Sequence, residues 1–261
     1  MTAPPHAPVA GEWVIRATAG AASEEFCRRL DTRRDLRQAA GGPLTLALTG
    51  GHSAQVFYAA MAARFLAPSA AEPWRPEAFH FYWSDERLVP PDHPDSNYRL
   101  ARDTLLAPAR IPDSQIHRVP TEAADPPARY ADLLRRQLSP GPAGVPRFDV
   151  LILGLGEDGH TASLFPHTDL WREDQRLVRH AAATPEHPHD RATFTPLLLN
   201  AAAEVWFVIT GEAKADAVAR LYARNSPPEE TPALLVDPAR TRVVYFVDGA
   251  AAQQLPATSR P

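Results

Sequence analysis

Apolar residues along this chain fall in short blocks separated by longer amphipathic stretches. The blocks WVIRATA (13–19), LTLAL (44–48), FHFYW (79–83), QIHRV (115–119), FDVLILG (148–154), RLVRHAA (176–182), EVWFVIT (204–210) and RVVYFVD (242–248) have the length and β-branched or aromatic content of strands. Between them, helical patterning covers 21–39, 53–66, 97–106, 124–138, 196–203 and 212–224, with Ser96 or Asn97 as the cap of the third. Strands alternating with helices predict an α/β fold, a single Rossmann-like domain with a mainly parallel sheet flanked by helices. The run PGPAGVP (140–146) resembles a linker, but the alternation continues across it, so it is expected to be a loop within one domain spanning 1–261. The ordered core is expected over about 12–249, with flexible tails at about 1–11 and 250–261.

Composition narrows the classes. The 261 residues are 44% hydrophobic and 22% charged, as in ordinary globular proteins, and can bury a sizeable core. A net charge of −4 argues against broad electrostatic binding of nucleic acid. One cysteine, Cys27, allows no internal disulfide and fits a reducing compartment. No apolar run approaches the roughly 18 residues of a membrane helix, and the N-terminus lacks the pattern of a secretory signal. The expected address is the cytoplasm, with no membrane partner. Of the 27 Lys+Arg residues only Lys214 is a lysine. Either it is a remnant of compositional drift, or its position needs an ammonium point charge rather than a planar fork.

Four segments could carry chemistry. In LTLALTGGHSAQVFYAAMA a strand runs through Gly50 and Gly51 to His52, Ser53 and a helix. Such a turn presents backbone N–H groups suited to a phosphate, although a plain tight turn fits equally well. In FYWSDERLVPPDHPDSNYRLARDTLL a strand ends in Ser84-Asp85-Glu86-Arg87. Ligands gather beyond the carboxyl ends of parallel strands, yet an exposed, salt-bridged loop is the commoner fate of such a triplet. In the C-terminal half, Arg191 opens RATFTPLLLNAA, and Lys214 sits at a helix start, where a cation opposes the helix dipole. One guanidinium and one ammonium would clamp a phosphate monoester, although a surface role is the default for Arg191.

The fourth segment, LGLGEDGHTASLFP (153–166), matches the dinucleotide fingerprint G-x-G-x-x-G at Gly154, Gly156 and Gly159. Glu157 and Asp158 would repel a pyrophosphate, and Pro166 cuts the following helix short, so no dinucleotide cofactor is expected. What is left is a glycine-rich loop after a strand, carrying Asp158 and His160. Histidine is the side chain best poised to take a proton near neutral pH, and a nearby carboxylate can fix its tautomer.

Together and in order, TGGHSA, SDERLVPPDHPDSNYRLARDTLL, DVLILGLGEDGHTASLFPHT, RATFTPLLLNAA and ITGEAKADAV resemble the 6-phosphogluconolactonase family of the glucosamine-6-phosphate isomerase/deaminase superfamily. The resemblance implies hydrolysis of 6-phospho-D-glucono-1,5-lactone to 6-phospho-D-gluconate in the oxidative pentose phosphate pathway, with no metal and no cofactor. It implies a phosphate turn on Gly50, Gly51, His52 and Ser53 with Arg191 and Lys214 as cationic partners. It further implies an active-site His160 set near Asp158, and Asp85 and Arg87 on the sugar side. His52 departs from the family's small hydroxyl residue and Ala54 from its proline, which leaves the side-chain role of position 52 open. The related deaminases carry a glutamate five residues after the histidine, where this chain has Phe165, which cannot move protons. A sugar-phosphate sensor would need a DNA-binding helix-turn-helix, for which one strand and one helix before 44–48 leave no room. The expected partner is the small sugar-phosphate lactone, and the expected assembly a monomer or homodimer.

Overall fold

A computed structural model describes residues 10–67, 74–172 and 175–257. Six strands form one sheet: β1 (Glu12–Arg16), β2 (Leu44–Leu48), β3 (Phe79–Trp83), β5 (Val150–Leu153), β8 (Glu204–Ile209) and β9 (Arg242–Asp248). Their spatial order is β1-β9-β8-β5-β2-β3, and every neighbouring pair is parallel. Parallel strands covered on both faces need no polar alternation, and β5 (VLIL) and β8 (EVWFVI) are buried at every position.

Helices α1 (Ala19–Ala39) and α2 (His52–Leu66) pack against each other and the sheet. Phe26 of α1 is the hub, meeting Phe57 of α2, Trp206 of β8 and Phe246 of β9 edge-on at 5.1, 5.1 and 5.3 Å. Such pairs add about 0.5–1.5 kcal/mol each beyond the area they bury. Thr18 caps α1 by accepting from the Ala21 N–H. Two buried tyrosines pin the ends of the strands. The Tyr58 hydroxyl of α2 donates to the Thr49 carbonyl and accepts from its N–H just beyond β2. Tyr130, from α4 (Pro126–Gln137), does the same for Trp83 at the end of β3.

A second, antiparallel sheet is built from β4 (Asp85–Arg87), β6 (Val178–Ala181) and β7 (Arg191–Phe194), with β7 in the middle. It corrects one expectation and shortens another. Asp85-Glu86-Arg87 is a strand rather than an exposed loop, with Asp85 and Glu86 buried. Of the strand expected over 176–182, Val178–Ala181 forms, and it pairs antiparallel in this small sheet. The RATF strand carries no periodic signal of its own and is defined by the neighbours it pairs with.

Side chains alternate across a strand, so Asp85 and Arg87 share one face and Glu86 takes the other. The Glu86 carboxylate accepts from the backbone N–H groups of Arg87, Asn97 and Tyr98 at 2.7 Å each and from the Ser96 hydroxyl at 3.1 Å. It thereby serves the start of α3 (Asn97–Ala101), where Ser96 is the cap, accepting from the Arg99 N–H. Burial pushes the Glu86 carboxyl up to about 7, against the pull of those N–H donors.

Other boundaries shifted for local reasons. The helix expected over 97–106 continues past α3 as a π-helical turn, Arg102–Leu106. Residues 115–119 form no strand: Asp113–Gln115 is a 3-10 turn, and only Ile116 bridges to Phe81, with Pro112 and Pro120 on either side. The helix expected over 196–203 is α5 (Pro196–Leu199) alone. Lys214 ends a 3-10 turn (Glu212–Lys214) and stands at the N-cap position of α6 (Ala215–Ala223). Residues 250–257 are no loose tail, because Ala251, Ala252 and Leu255 are buried and Ala252 N–H bonds the Asp248 carbonyl. The expected tails at 1–9 and 258–261 lie outside the described residues.

Glu86→Gln replaces one acceptor oxygen by an NH2 group facing N–H or O–H donors. It is expected to lower unfolding free energy by about 1–3 kcal/mol, measured by denaturant titration.

Candidate active site

Strands β2, β5 and β8 lie side by side and run the same way, so the segments after them emerge together at the carboxyl edge of the sheet. These are the Gly50-Gly51 turn, the Gly154–His160 loop and the Thr210–Lys214 turn. With β4 and β7 they enclose a cleft of about 430 Å³. Gly50, Gly51, His52, Ser53, Asp85, Arg87, His160, Arg191 and Lys214 all line it. Asp158 stands behind His160.

The turn after β2 is shaped by space and backbone angle. A Cβ on Gly50 would lie 2.0 Å from Asn97 Oδ1, and Gly51 has φ 92°, a conformation that favours glycine. Gly51 caps α2 without a side-chain bond, so the first N–H groups of this 15-residue helix begin at the cleft. Ser53 is buried, and its hydroxyl accepts from Thr210 N–H at 3.0 Å and lies 3.1 Å from Thr210 Oγ1, tying α2 to the end of β8. His52 is exposed at the rim.

The loop after β5 is folded around Asp158 and His160. Their Oδ1 and Nδ1 atoms are 2.6 Å apart, and the His160 N–H donates to the same oxygen at 3.1 Å. Gly156 leaves the room for this: a Cβ there would lie 2.1 Å from His160 Nδ1 and 2.4 Å from Asp158 Oδ1. The other carboxylate oxygen of Asp158 lies 3.5 Å from His187 Nε2. Burial opposes ionisation of Asp158, but His160 and then His187 outweigh it and hold the carboxyl well below its usual range.

His187 lines the cleft and was not singled out in the sequence; its HPHD context between Pro-rich turns carries no periodic or motif signal. It stacks on Phe165 with ring centroids 4.1 Å apart, and Phe165 meets His160 edge-on at 5.1 Å. Burial, then the neighbouring His160, holds the His187 imidazole below its ordinary value. Asp158, His160 and His187 together offer ligand atoms within 4.8 Å of one another, a set able to take a cation.

Positive charge also lines the cleft. Arg87 and Arg191 are directly paired across β4 and β7. Like charges facing each other on adjacent strands are unfavourable unless an anion joins them. Arg191 is 7% exposed, its Nη1 lies 3.7 Å from Asp85 Oδ2, its guanidinium sits 5.4 Å over the Phe165 ring, and its Nε has no partner. Burial lowers its basicity, with the Asp85 charge opposing, yet arginine stays protonated in proteins. Asp85 also accepts from Ser163 Oγ at 2.7 Å. Lys214 Nζ lies 3.9 Å from Glu157 Oε1, a loose contact at the mouth.

A family model described as glucosamine-6-phosphate isomerases/6-phosphogluconolactonase matches residues 17–245. The chain belongs to this family. Relatives include a 6-phosphogluconolactonase of Synechocystis, 37% identical over 82% of this chain and 85% of that protein. Another, from Homo sapiens, is 40% identical over 80% of each. Among solved structures, 6-phosphogluconolactonase from Trypanosoma brucei superposes with a TM-score of 0.80 at 28% identity, covering 95% of this chain and all of that one.

Two outcomes follow from the geometry. Gly156→Ala should lower turnover, by no more than His160→Ala does, while the protein stays folded, as read by circular dichroism beside an activity assay, because the added methyl displaces the Asp158–His160 pair. Asp158 contributes stability that is present above its unfolded value of 3.8 and fades as the pH falls below it. The stability difference between wild type and Asp158→Asn should therefore shrink during an acid titration of thermal unfolding from neutral pH downward.

Proposed function

We propose that this protein hydrolyses 6-phospho-D-glucono-1,5-lactone to 6-phospho-D-gluconate, a step of the oxidative pentose phosphate pathway, without a metal ion. The observation that carries the reading is one cleft lined by a glycine turn at a helix start, two arginines and a lysine, with a histidine–carboxylate pair beside them. Relatives named 6-phosphogluconolactonase support it. Phe165, buried where the deaminases of the superfamily carry a glutamate, supports hydrolysis over ring-opening isomerisation.

In this reading the substrate phosphate rests on the N–H groups of the Gly50–Ser53 turn at the start of α2, with Arg191 and Lys214 as its cationic partners. The phosphate lies several bonds from C1, so its clamp orients the lactone rather than taking part in bond making. Asp85 and Arg87 face the sugar. Asp158, ionised and bonded to His160 Nδ1, makes Nδ1 the protonated nitrogen and leaves Nε2 as the base. His160 Nε2 takes a proton from water as the water oxygen attacks C1. The carbonyl π pair moves to oxygen, where Arg87 or loop N–H groups can stabilise it. Collapse of the tetrahedral intermediate expels the ring oxygen, to which His160 returns the proton. The product is an open-chain acid that ionises in water. No covalent nucleophile is required.

The proposal includes a single domain over 1–261, a cytoplasmic protein acting as monomer or homodimer, and no nucleic-acid or membrane partner. The net charge of −4 supports the lack of a nucleic-acid partner, and no helix among the described residues is long and apolar enough to cross a membrane.

The test is a coupled assay on freshly prepared lactone, run beside glucosamine 6-phosphate. Turnover of the lactone alone is expected, undiminished by EDTA, and turnover of the amino sugar alone would overturn the reading. His160→Ala should lower kcat by about 10²–10⁴-fold with KM little changed. Lys214→Ala should raise KM with kcat largely kept.

A further inference from the structure

A second histidine–carboxylate group lies outside the proposed chemistry. His93 and Asp95 come from the loop between β4 and α3, and His189 from the loop between β6 and β7. Their ligand atoms lie within 4.8 Å of one another. His189 Nε2 is 2.8 Å from Asp95 Oδ2, and His93 Nδ1 is 3.8 Å from the same oxygen. A tetrahedral ion with bonds of about 2.0–2.1 Å holds its ligands about 3.3 Å apart, so each of these two distances lies about half an ångström from that spacing. The two rings stand at 76°, turned across one another rather than stacked.

A cation here would compete with hydrogen bonds that the three groups now make with one another. His93 Nδ1 accepts the Asp95 N–H at 3.1 Å, so it is the unprotonated nitrogen, and a metal bond there would replace that hydrogen bond. His189 Nε2 lies 2.8 Å from Asp95 Oδ2, so a metal held by both would take the place of the proton between them. Arg87 Nη1 donates to the backbone carbonyl of Asp95 at 2.6 Å rather than to the carboxylate. All three side chains are partly exposed, so an ion can reach them without a desolvated path. Two imidazoles and one carboxylate suit zinc and its neighbours in the late first-row series, not calcium or magnesium.

We propose that His93, Asp95 and His189 form a surface site for a divalent transition-metal ion of the Zn2+ class, which clasps together two loops at the mouth of the cleft. The clasp is coupled to the cleft through short links. His189 is two residues from His187, which lines the cleft, and Asp95 holds Arg87 through its carbonyl. Three protein ligands leave the remaining coordination to water. The ion has no part in the lactone chemistry, so this proposal stands or falls separately from the catalytic one.

The test uses tag-free, EDTA-stripped full-length protein titrated with Zn2+ in competition with a chromophoric chelator. His160→Asn breaks the other cation-capable trio and is expected to keep one zinc per chain at wild-type affinity. His189→Ala and His93→Ala should each weaken binding by at least about tenfold, with turnover in EDTA unchanged. Zinc should also slow amide hydrogen exchange in residues 88–96 and 182–190. No stoichiometric binding by wild type, or loss of binding in His160→Asn alone, would overturn the site. Binding without slower exchange in those two loops would overturn the clasp.

Discussion

The site rests on one constraint, the parallel register of β2, β5 and β8. Because these strands are neighbours and run alike, their carboxyl ends stop at one edge and their following turns must share a small space. That crowding sets the local chemistry of the turns. Gly50 is pressed against Asn97, Gly156 against the Asp158–His160 pair, and Ser53 of one turn bonds Thr210 of another. The strand ends are themselves held by Tyr58 and Tyr130, each closing a two-bond bracket on a backbone unit at the rim. Displacing one strand by a residue would turn its side chains to the other face and carry its turn out of the cleft.

The small antiparallel sheet supplies what the large one cannot. Alternation along β4 divides three adjacent charged residues between two tasks: Asp85 and Arg87 face the cleft, while Glu86 closes the start of α3 from behind. Pairing with β7 sets Arg87 against Arg191. The pairing places both guanidinium-bearing residues at the lining of the cleft. Asp85 lies beside Arg191, its Oδ2 3.7 Å from Nη1, and offsets part of that positive charge.

Much of this was legible in the chain. β2 and β3 fall on the expected residues because consecutive apolar side chains between glycine or polar breaks have few other uses. The glycine turns, Asp158, His160, Arg191 and Lys214 stood out through motif and composition. QIHRV misled because β-branched and apolar content alone does not secure a partner strand, and prolines on either side let only Ile116 bridge. Arg191–Phe194 and Asp85–Arg87 escaped because strands this short draw their stability from neighbours far away in sequence. His187 escaped for a related reason. Its meaning lies in touching Phe165 and Asp158, and no spacing along the chain encodes that contact.

The sequence by itself determined the elements that depend on local physics: apolar blocks that must be buried, helix starts that need caps, and turns where glycine is required by space or by a positive φ. It also determined the inventory of reactive groups and, through the loop around His160, where a proton could be handled. Only the tertiary structure decided which of those groups meet. It placed Lys214 at a helix cap, set two arginines opposite each other, turned Glu86 away from the cleft, and brought His93, Asp95 and His189 together from two loops. The physical reason is that periodicity reports a residue's own burial, whereas a site depends on contacts between distant segments, which exist only once the sheet order has been chosen.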